Sequence, residues 1–324
     1  MAIAYPDTVL KDTISGIALT ALISATAISV PLIGFLCLLL LPQPVIYYRL
    51  KLGRKPALAI IGAPMLLLLV VSGKLFADAA FLLGMMGLGF FMGEFLERRL
   101  TVEKTIGYAC GAVIIAGFCA LLVYTNLLNV GIVDWVSAYI SKSLQMTVGL
   151  YEKMGMQQES IRMLEDAMGQ ITFVLVRMLP SLIAAGLLVA GWLNLLAARG
   201  IFRRWQIGYA DFGALNQWIA PEMMVWGVIA GAVMLLIPNA GLKIIGMNGL
   251  IVLMVVYFFQ GIAVMSYYFE KKGIPLVLRW LIYTFIAIQQ ILLLVVVGLG
   301  FVDVWADFRR LAQTPPNGPD PGHQ

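Results

Sequence analysis

Long apolar runs, separated by short stretches that hold most of the lysines and arginines, dominate this sequence. Each run is about twenty residues long, the length that an α-helix needs to cross about 30 Å of hydrocarbon. Strands of a membrane barrel would instead alternate apolar and polar residues over about ten positions, and the sequence does not do so. The pattern predicts an all-α, polytopic helical membrane protein with candidate spans at residues 14–30, 31–48, 57–72, 75–96, 105–127, 171–198, 218–236, 244–269 and 279–301.

The first two candidate spans leave their number open. Residues 14–48 would form a single helix of about 50 Å, which is too long for one crossing. Pro31 suits the first turn of a second helix, whereas Pro42 and Pro44 would instead end one span over residues 15–41. The sequence therefore predicts eight or nine transmembrane helices.

Composition and the placement of charge support a membrane location. Hydrophobic residues make up 61% of the chain and charged residues 12%, too few charges for a soluble protein of this length. Thirteen Lys and Arg lie in the loops after the second, fourth, sixth and eighth spans, and seven lie in the other loops and the tail. The first set is expected to be cytoplasmic, which places the N-terminus inside and the tail outside. Arg309 and Arg310 in that tail are the exception to the rule.

Four regions are predicted along the chain. Residues 1–127 form an N-terminal helical membrane region, and residues 128–170 form an amphipathic helical insertion on the outer face, with a break near Gly155. Residues 171–301 form a C-terminal membrane region. Residues 302–324 form a polar tail, rich in Pro and Gly, that is expected to be disordered. The insertion serves either as a connector or as a lid over an outward-facing pocket.

Several kinds of chemistry are excluded by the residues that the sequence lacks. The sequence contains a single histidine, His323. The lack of any other histidine excludes Ser-His-Asp catalysis, His-based zinc sites and haem ligation by paired His. No phosphate-binding loop of the GxxxxGK[ST] type occurs. We expect no enzymatic activity, no cofactor and no nucleic-acid binding, since the positive charge serves membrane orientation.

Small residues on the first helix indicate close helix packing. Gly16, Thr20 and Ser24 form one stripe, and Ala21 and Ala25 belong to the adjacent one. Because apolar side chains gain little by pairing within lipid, close backbone approach between small residues drives association there. Internal packing is the usual use of such stripes. We take Ala21 and Ala25 as the candidates for contact with a partner helix.

Polar side chains within spans are the candidates for a substrate pocket. They are costly in hydrocarbon, so they are expected to face other helices or a cavity. The residues concerned are Arg177, Asn194, Gln260, Gln289 and Gln290. Arg177 would hold an anionic group or extend its charge towards the interface, and the amides would bond between helices or bind a ligand. Glu94 is expected to pair with the charges at Glu97-Arg98-Arg99.

The C-terminal part of the sequence resembles a known family. "FFQGIAVMSYYFEKKGIP" (258–275) and "GLGFVDVWADFRRL" (298–311) are similar to the C-terminal signature of the YybS-like family, bacterial integral membrane proteins of unknown function. The residues that match are Gln260, Gly261, Asp303, Trp305, Asp307, Phe308 and Arg309. The resemblance implies a bacterial inner-membrane location. Read by themselves, residues 303–309 form an interfacial anchor in which Trp lies at headgroup level and Asp pairs with Arg across a turn.

Residues 14–198 are also similar, more loosely, to the substrate-binding S subunits of energy-coupling-factor vitamin transporters and to the cell-shape protein MreD. The likeness rests on the small-residue first helix and on "LLLPQPVIYYRLKLGRK". It implies six helices, a borrowed ATPase and docking of a partner through Ala21 and Ala25. This chain departs from the S subunits by about three further helices and by the long insertion.

Two functional hypotheses follow. The first is a non-ATPase component that binds, and helps to transport, a small molecule, with an ATPase-bearing transport module as its partner. The second is a non-catalytic membrane scaffold in cell-envelope assembly, with envelope proteins as partners. In both, the lipid bilayer surrounds the chain.

Overall fold

A computed structural model of the chain describes residues 6–72, 77–205 and 213–309. These residues form twelve α-helices, one 3₁₀ helix and no strand, so the predicted all-α class is confirmed. In chain order the helices are α1 (Pro6–Ser29), α2 (Pro31–Leu40), α3 (Pro42–Leu52), α4 (Arg54–Ser72), α5 (Ala77–Glu97), α6 (Val102–Leu127), α7 (Ile132–Lys153), α8 (Gln158–Trp205), a 3₁₀ turn (Leu215–Gln217), α9 (Met224–Leu236), α10 (Ala240–Lys271), α11 (Leu276–Ile288) and α12 (Gln290–Ala306).

The number of membrane crossings differs from the eight or nine that the sequence predicts. In the described part of the chain, six segments are long and apolar enough to span, or seven if the bent pair α11–α12 counts as one. Helix α9 has 13 residues and is about 20 Å long, short of the hydrocarbon thickness. The protein is a multi-pass membrane protein, and the count of eight or nine is not confirmed.

The chain forms two compact units, residues 1–211 and 212–324, and each is described by itself. In the N-terminal unit, Pro31 begins α2, as expected for a proline in a first turn, and Pro42 begins α3 directly after it. The expected small stripe on α1 is used internally: Gly16 lies against Tyr48 of α3 and Ile60 of α4. The alternative of one span over residues 15–41 does not occur.

The insertion forms a helical hairpin. Helix α7 ends at Lys153, Gly155 adopts a left-handed conformation at φ +75°, and α8 begins at Gln158, so the predicted break near Gly155 is observed. Ser141 and Thr172 join the two helices with hydroxyl oxygens 3.3 Å apart. No helix end occurs at residue 171, because α8 continues for 48 residues, about 72 Å.

The C-terminal unit is built around α10. Helix α9 runs antiparallel to it, with Gly231 against Gly246 near one end and Val225 against Tyr257 further along. Helix α12 crosses α10 closely. A Cβ atom on Gly300 would lie 2.0 Å from the Tyr257 carbonyl oxygen, and one on Gly261 would lie 2.1 Å from the Val296 carbonyl oxygen.

The predicted span over residues 279–301 is not one continuous helix, because the structure breaks it at Gln289. This residue is extended (φ −96°, ψ 105°), and the direction of the helix axis changes by 106° between α11 and α12. Residues 302–306, expected in a disordered tail, form the last turns of α12, and residues 310–324 lie outside the described residues.

Both ends of the α11–α12 pair lie at the C-terminal end of α10. Helix α11 starts shortly after Lys271, and the Tyr268 hydroxyl donates to the Phe308 carbonyl at 2.6 Å. Arg309 donates to the Asn216 carbonyl at 2.8 Å, while the Asn216 amide donates to Glu270. The pair therefore leaves and returns to the same end, and Arg309 joins the basic end near Lys271.

This geometry predicts that residues 272 and 308 lie on one side of the membrane and residue 243 on the other. Single cysteines at Lys272, Phe308 and Lys243, in a chain whose three native cysteines are replaced by Ala, would be tested with a membrane-impermeant maleimide. Positions 272 and 308 should label alike, and position 243 should label oppositely. Labelling of 308 together with 243 would contradict the re-entrant arrangement.

Candidate functional site

The crossing of α10 and α12 brings together three buried polar side chains, Gln260, Asp303 and Arg309, called here the polar cluster. Their exposed fractions are 0%, 4% and 3%. Asp303 Oδ2 accepts from Gln260 Nε2 at 3.1 Å and from Arg309 Nη2 at 2.7 Å. The expected pairing of Asp with Arg across a turn is thus observed, and Gln260 faces inward.

A tight turn after α12 carries Arg309 back onto Asp303. Asp307 adopts a left-handed conformation (φ 37°), which ends the helix, and its backbone N–H donates to the Asp303 carbonyl at 3.1 Å. The Phe308 N–H donates to Asp303 Oδ1 at 3.2 Å. The Asp303 carboxylate therefore both caps the turn and holds the guanidinium.

The polar cluster also bonds the segment that precedes α9, which consists of the 3₁₀ turn Leu215–Gln217 and the residues after it. Gln260 Oε1 accepts from the Ala220 N–H at 3.3 Å, and Arg309 Nη1 donates to the carbonyls of Asn216 and Trp218 at 2.8 and 3.0 Å. Backbone groups outside a helix need partners within the protein when no water is present. The predicted span 218–236 is accordingly extended in its first residues and helical only from Met224.

Aromatic rings cover one side of the polar cluster. Tyr257 and Phe301 pack edge to face at 5.2 Å, and Phe301 packs on Trp305 at 4.9 Å. Trp305 is 61% exposed, which suits the interfacial position expected from the sequence. Among the described residues, the Tyr257 hydroxyl and Arg309 Nε have no hydrogen-bond partner. The site thus retains one unused phenol and one unused guanidinium donor.

Gly261 completes the family signature by permitting the approach of α12. Six of the seven signature residues named from the sequence therefore take part in one local arrangement: Gln260, Asp303 and Arg309 bond through their side chains, Phe308 bonds through its backbone N–H, Gly261 packs and Asp307 turns the chain. Sequence reasoning missed the backbone of residues 216–220, the end of a 3₁₀ turn and the irregular residues after it, as the cluster's second partner. The proline at 221 was the available signal.

The remaining amide candidates lie apart from the polar cluster. Gln289 and Gln290 are exposed at the α11–α12 break, and Gln290 is about 20 Å along α12 from Asp303. Asn194 and Arg177 belong to the N-terminal unit and are separated by about 25 Å along α8. Gln289 and Gln290 therefore do not join the polar cluster, and Asn194 and Arg177 do not form a site with each other. The role of these four residues in binding stays a prediction.

Asn194 is completely buried and supports the junction of α2 and α3. Its Nδ2 donates to the Leu39 carbonyl at 2.7 Å. The Gln43 side-chain amide donates to Asn194 Oδ1 at 3.0 Å, in the amide orientation in which both its nitrogen and its oxygen have hydrogen-bond partners. Arg177 instead stays on its own helix, where it donates to the Phe173 carbonyl at 3.0 Å and lies over the Phe173 ring.

The two alanines on α1 have unequal surroundings. Ala25 is exposed and Ala21 is half-buried, while Gly16, Thr20 and Ser24 on the other stripe are buried. The buried stripe is the internal packing face. Contact of Ala21 and Ala25 with a partner helix stays a prediction.

A second buried charge, Glu94, lies in the N-terminal unit and binds three arginines. Arg49 and Arg54 pair with its two oxygens, and Arg98 Nη2 donates at 3.0 Å. The hydrogen bond to Glu94 raises the pKa of Arg54 above its ordinary value. Sequence reasoning expected pairing within the cluster Glu97-Arg98-Arg99, where Arg98 does pair, and it missed Arg49 and Arg54. The stripe Gly89 and Gly93, which packs on Pro42 and Arg49, was the signal that α3 lies alongside.

The comparisons with known proteins confirm the resemblance to the YybS-like family that the sequence indicated. The model of the family described as "Predicted membrane protein (DUF2232)" matches residues 18–304. The chain is 22% identical over 265 residues to the uncharacterized protein YybS of Bacillus subtilis (strain 168), covering 80% of this chain and 84% of that protein. No solved structure matches the chain.

The polar cluster predicts a strong coupling between Asp303 and Arg309. Asp303→Asn keeps the shape but leaves a buried guanidinium without its counter-ion, which should cost about 3–5 kcal/mol of unfolding free energy. Asp303→Asn with Arg309→Gln should recover part of that loss. Asp307→Asn is the control, because Asn tolerates the left-handed conformation. The measurement is equilibrium unfolding in detergent of Asp303→Asn, of Arg309→Gln and of the double variant. If the losses of unfolding free energy of the two single variants added up to the loss of the double variant, the coupling would be contradicted.

Proposed function

The chain belongs to the DUF2232 family of predicted membrane proteins, and we propose that it is a non-enzymatic, non-ATPase component of the bacterial inner membrane that binds a small carboxylate-bearing molecule for transport. The observation that supports this proposal is the buried Arg309 guanidinium with an unused Nε donor beside Asp303. Ionisable side chains within a membrane protein are costly and commonly mark sites of function.

The surroundings of Arg309 have features of transporter sites. Interrupted helices in transporters leave backbone groups near a polar site, where substrates and ions bind. Here α9 begins after an unwound segment and α11–α12 is broken, and the polar cluster bonds the first of these interruptions. A ligand carboxylate has the same chemistry as the Asp303 side chain and would take two donors of the guanidinium fork, Nε and Nη2.

Binding by this route requires the turn after α12 to move, because Arg309 is nearly inaccessible in the present arrangement. The ligand would replace Asp303 as the counter-ion. The energy for transport would come from an ATPase-bearing partner, since this sequence carries no phosphate-binding loop. The bacterial relative and the basic loops support an inner-membrane location.

A thermal-shift screen of the full chain in detergent tests this function. The compounds are carboxylate-bearing vitamins, each compared with its neutral methyl ester. We expect at least one acid, and not its ester, to raise the melting midpoint, because only the acid can pair with Arg309. The shift should vanish in the charge-free variant Asp303→Asn/Arg309→Gln.

Arg279→Gln is the matched control, because Arg279 also donates to backbone carbonyls at the same end of α10, those of Ile274 and Phe269. It should keep the ligand-induced shift. A screen in which no acid stabilises the chain, or in which Arg279→Gln loses the shift equally, would count against the proposal.

The second candidate function is a non-catalytic scaffold for envelope proteins. It is favoured by the outward position of Ala25 and of the strongly exposed Leu22 on α1, whose other face is already packed. A partner helix would approach along these small residues, as helices do in lipid.

Ala21→Leu/Ala25→Leu should reduce co-purification of partners at least several-fold, because the larger side chains hold a second backbone away. Ala116→Leu/Ala120→Leu is the matched control, with the same spacing on the exposed side of α6. Equal recovery of partners with both variants would exclude this face as the contact.

A further inference from the structure

We propose that the corner between α3 and α4 is a binding site for a phosphate group, carried either by an anionic lipid headgroup or by free phosphate. The corner is an open cleft of about 440 Å³ whose charged lining is Arg49, Arg54, Lys55 and Glu97. It lies in the N-terminal unit and is independent of the polar cluster and of the transport proposal.

The first turn of α4 supplies part of the site. Helix α4 begins at Arg54, and its early N–H groups have no partner within the helix. The positive end of the helix dipole favours an anion there, yet the first turn contains Arg54 and Lys55 and no acidic residue. Cations at this position repel the dipole, and a bound phosphate would offset both.

Arg49 supplies an independent indication of a ligand. Its side chain lines the cleft and is 1% exposed, and its Nη2 is paired with Glu94 and Glu97. Within the described residues, its Nε has no hydrogen-bond partner. A buried donor without an acceptor is unfavourable, and a phosphate oxygen at the cleft would supply the missing acceptor.

The charge balance favours an anion. Four cations, on Arg49, Arg54, Lys55 and Arg98, surround two carboxylates, on Glu94 and Glu97. Glu94 binds three of the guanidinium groups, and Glu97 is held by Arg49 at 2.8 Å. Lys55 is exposed, and Arg54 keeps 62% of its side chain accessible. A surplus of two positive charges therefore faces the cleft.

The backbone at the corner leaves room for a ligand. Gly53 has φ +90°, a conformation that favours glycine, and a Cβ atom built on it would meet nothing within 4 Å. The corner also belongs to the basic end of the unit, where Lys51 pairs with Asp12 at 2.8 Å. Basic groups at such an end attract the anionic lipids of the cytoplasmic leaflet by about 1 kcal/mol each.

The test measures the melting midpoint of the full chain in detergent during titration with three probes: short-chain phosphatidylglycerol, short-chain phosphatidylcholine and inorganic phosphate. Phosphatidylglycerol should stabilise the chain and the neutral-headgroup phosphatidylcholine should not. The apparent affinity should fall about five-fold for each basic side chain removed in Arg54→Gln/Lys55→Gln. Lys55→Gln alone should lose about five-fold and leaves all three arginines on Glu94.

Lys271→Gln/Lys272→Gln is the matched control, because it removes two adjacent cations from the end of α10 and should bind the probes as the unaltered chain does. Stabilisation by inorganic phosphate that is lost in Arg54→Gln/Lys55→Gln would support the site with free phosphate as its ligand. Stabilisation by phosphatidylglycerol alone would support a lipid ligand. The proposal would be overturned if neither phosphatidylglycerol nor inorganic phosphate stabilised the chain. Equal losses of affinity in Arg54→Gln/Lys55→Gln and in Lys271→Gln/Lys272→Gln would also overturn it.

Discussion

Hydrocarbon offers no hydrogen bonds, so every backbone group released where a helix is interrupted must find its partner inside the protein. Near the junction of α2 and α3 and before α9, this chain meets that constraint with buried amides and Arg309. Asn194 bonds the Leu39 carbonyl beside the junction of α2 and α3, and Gln260 bonds the Ala220 N–H before α9. Arg309 donates to two further carbonyls before α9, that of Asn216 in the 3₁₀ turn and that of Trp218 directly after it. The irregular parts of the fold and its buried polar side chains thus explain one another.

The same bonds limit what the polar cluster can bind. Asp303 and Gln260 are already occupied by Arg309, by backbone N–H groups and by each other. A ligand has to compete with these internal partners, so binding is coupled to movement of the turn after α12. The cleft between α3 and α4 differs in this respect, because its exposed lysine and arginine are accessible without any rearrangement.

Local patterns in the sequence were sufficient for much of the fold. Apolar runs predicted the all-α class, Pro31 predicted the start of α2, and Gly155 predicted the break before α8. The inward position of Gln260 followed from the cost of polar groups in lipid, and the pairing of Asp with Arg followed from their spacing across a turn. The sequence could not predict whether an apolar run forms one straight helix or two helices at an angle. The run over α11 and α12 has the composition of a straight span, yet its axis turns by 106° at Gln289. The contact of Arg49 with Glu94 was also missed, although Gly89 and Gly93 indicated that a neighbouring helix approaches α5 closely.

The contact of Gly300 with the Tyr257 carbonyl restricts how this sequence can diverge. Even alanine would place its methyl carbon 2.0 Å from a backbone oxygen, an atom that cannot rotate aside. Any replacement must push α12 off α10 and so stretch the hydrogen bond between Gln260 and Asp303. Substitutions at Gly261, Gly300 and Asp303 are therefore expected to occur together. A related sequence that has lost Gly261 or Gly300 should also differ at the other residues of the crossing between α10 and α12.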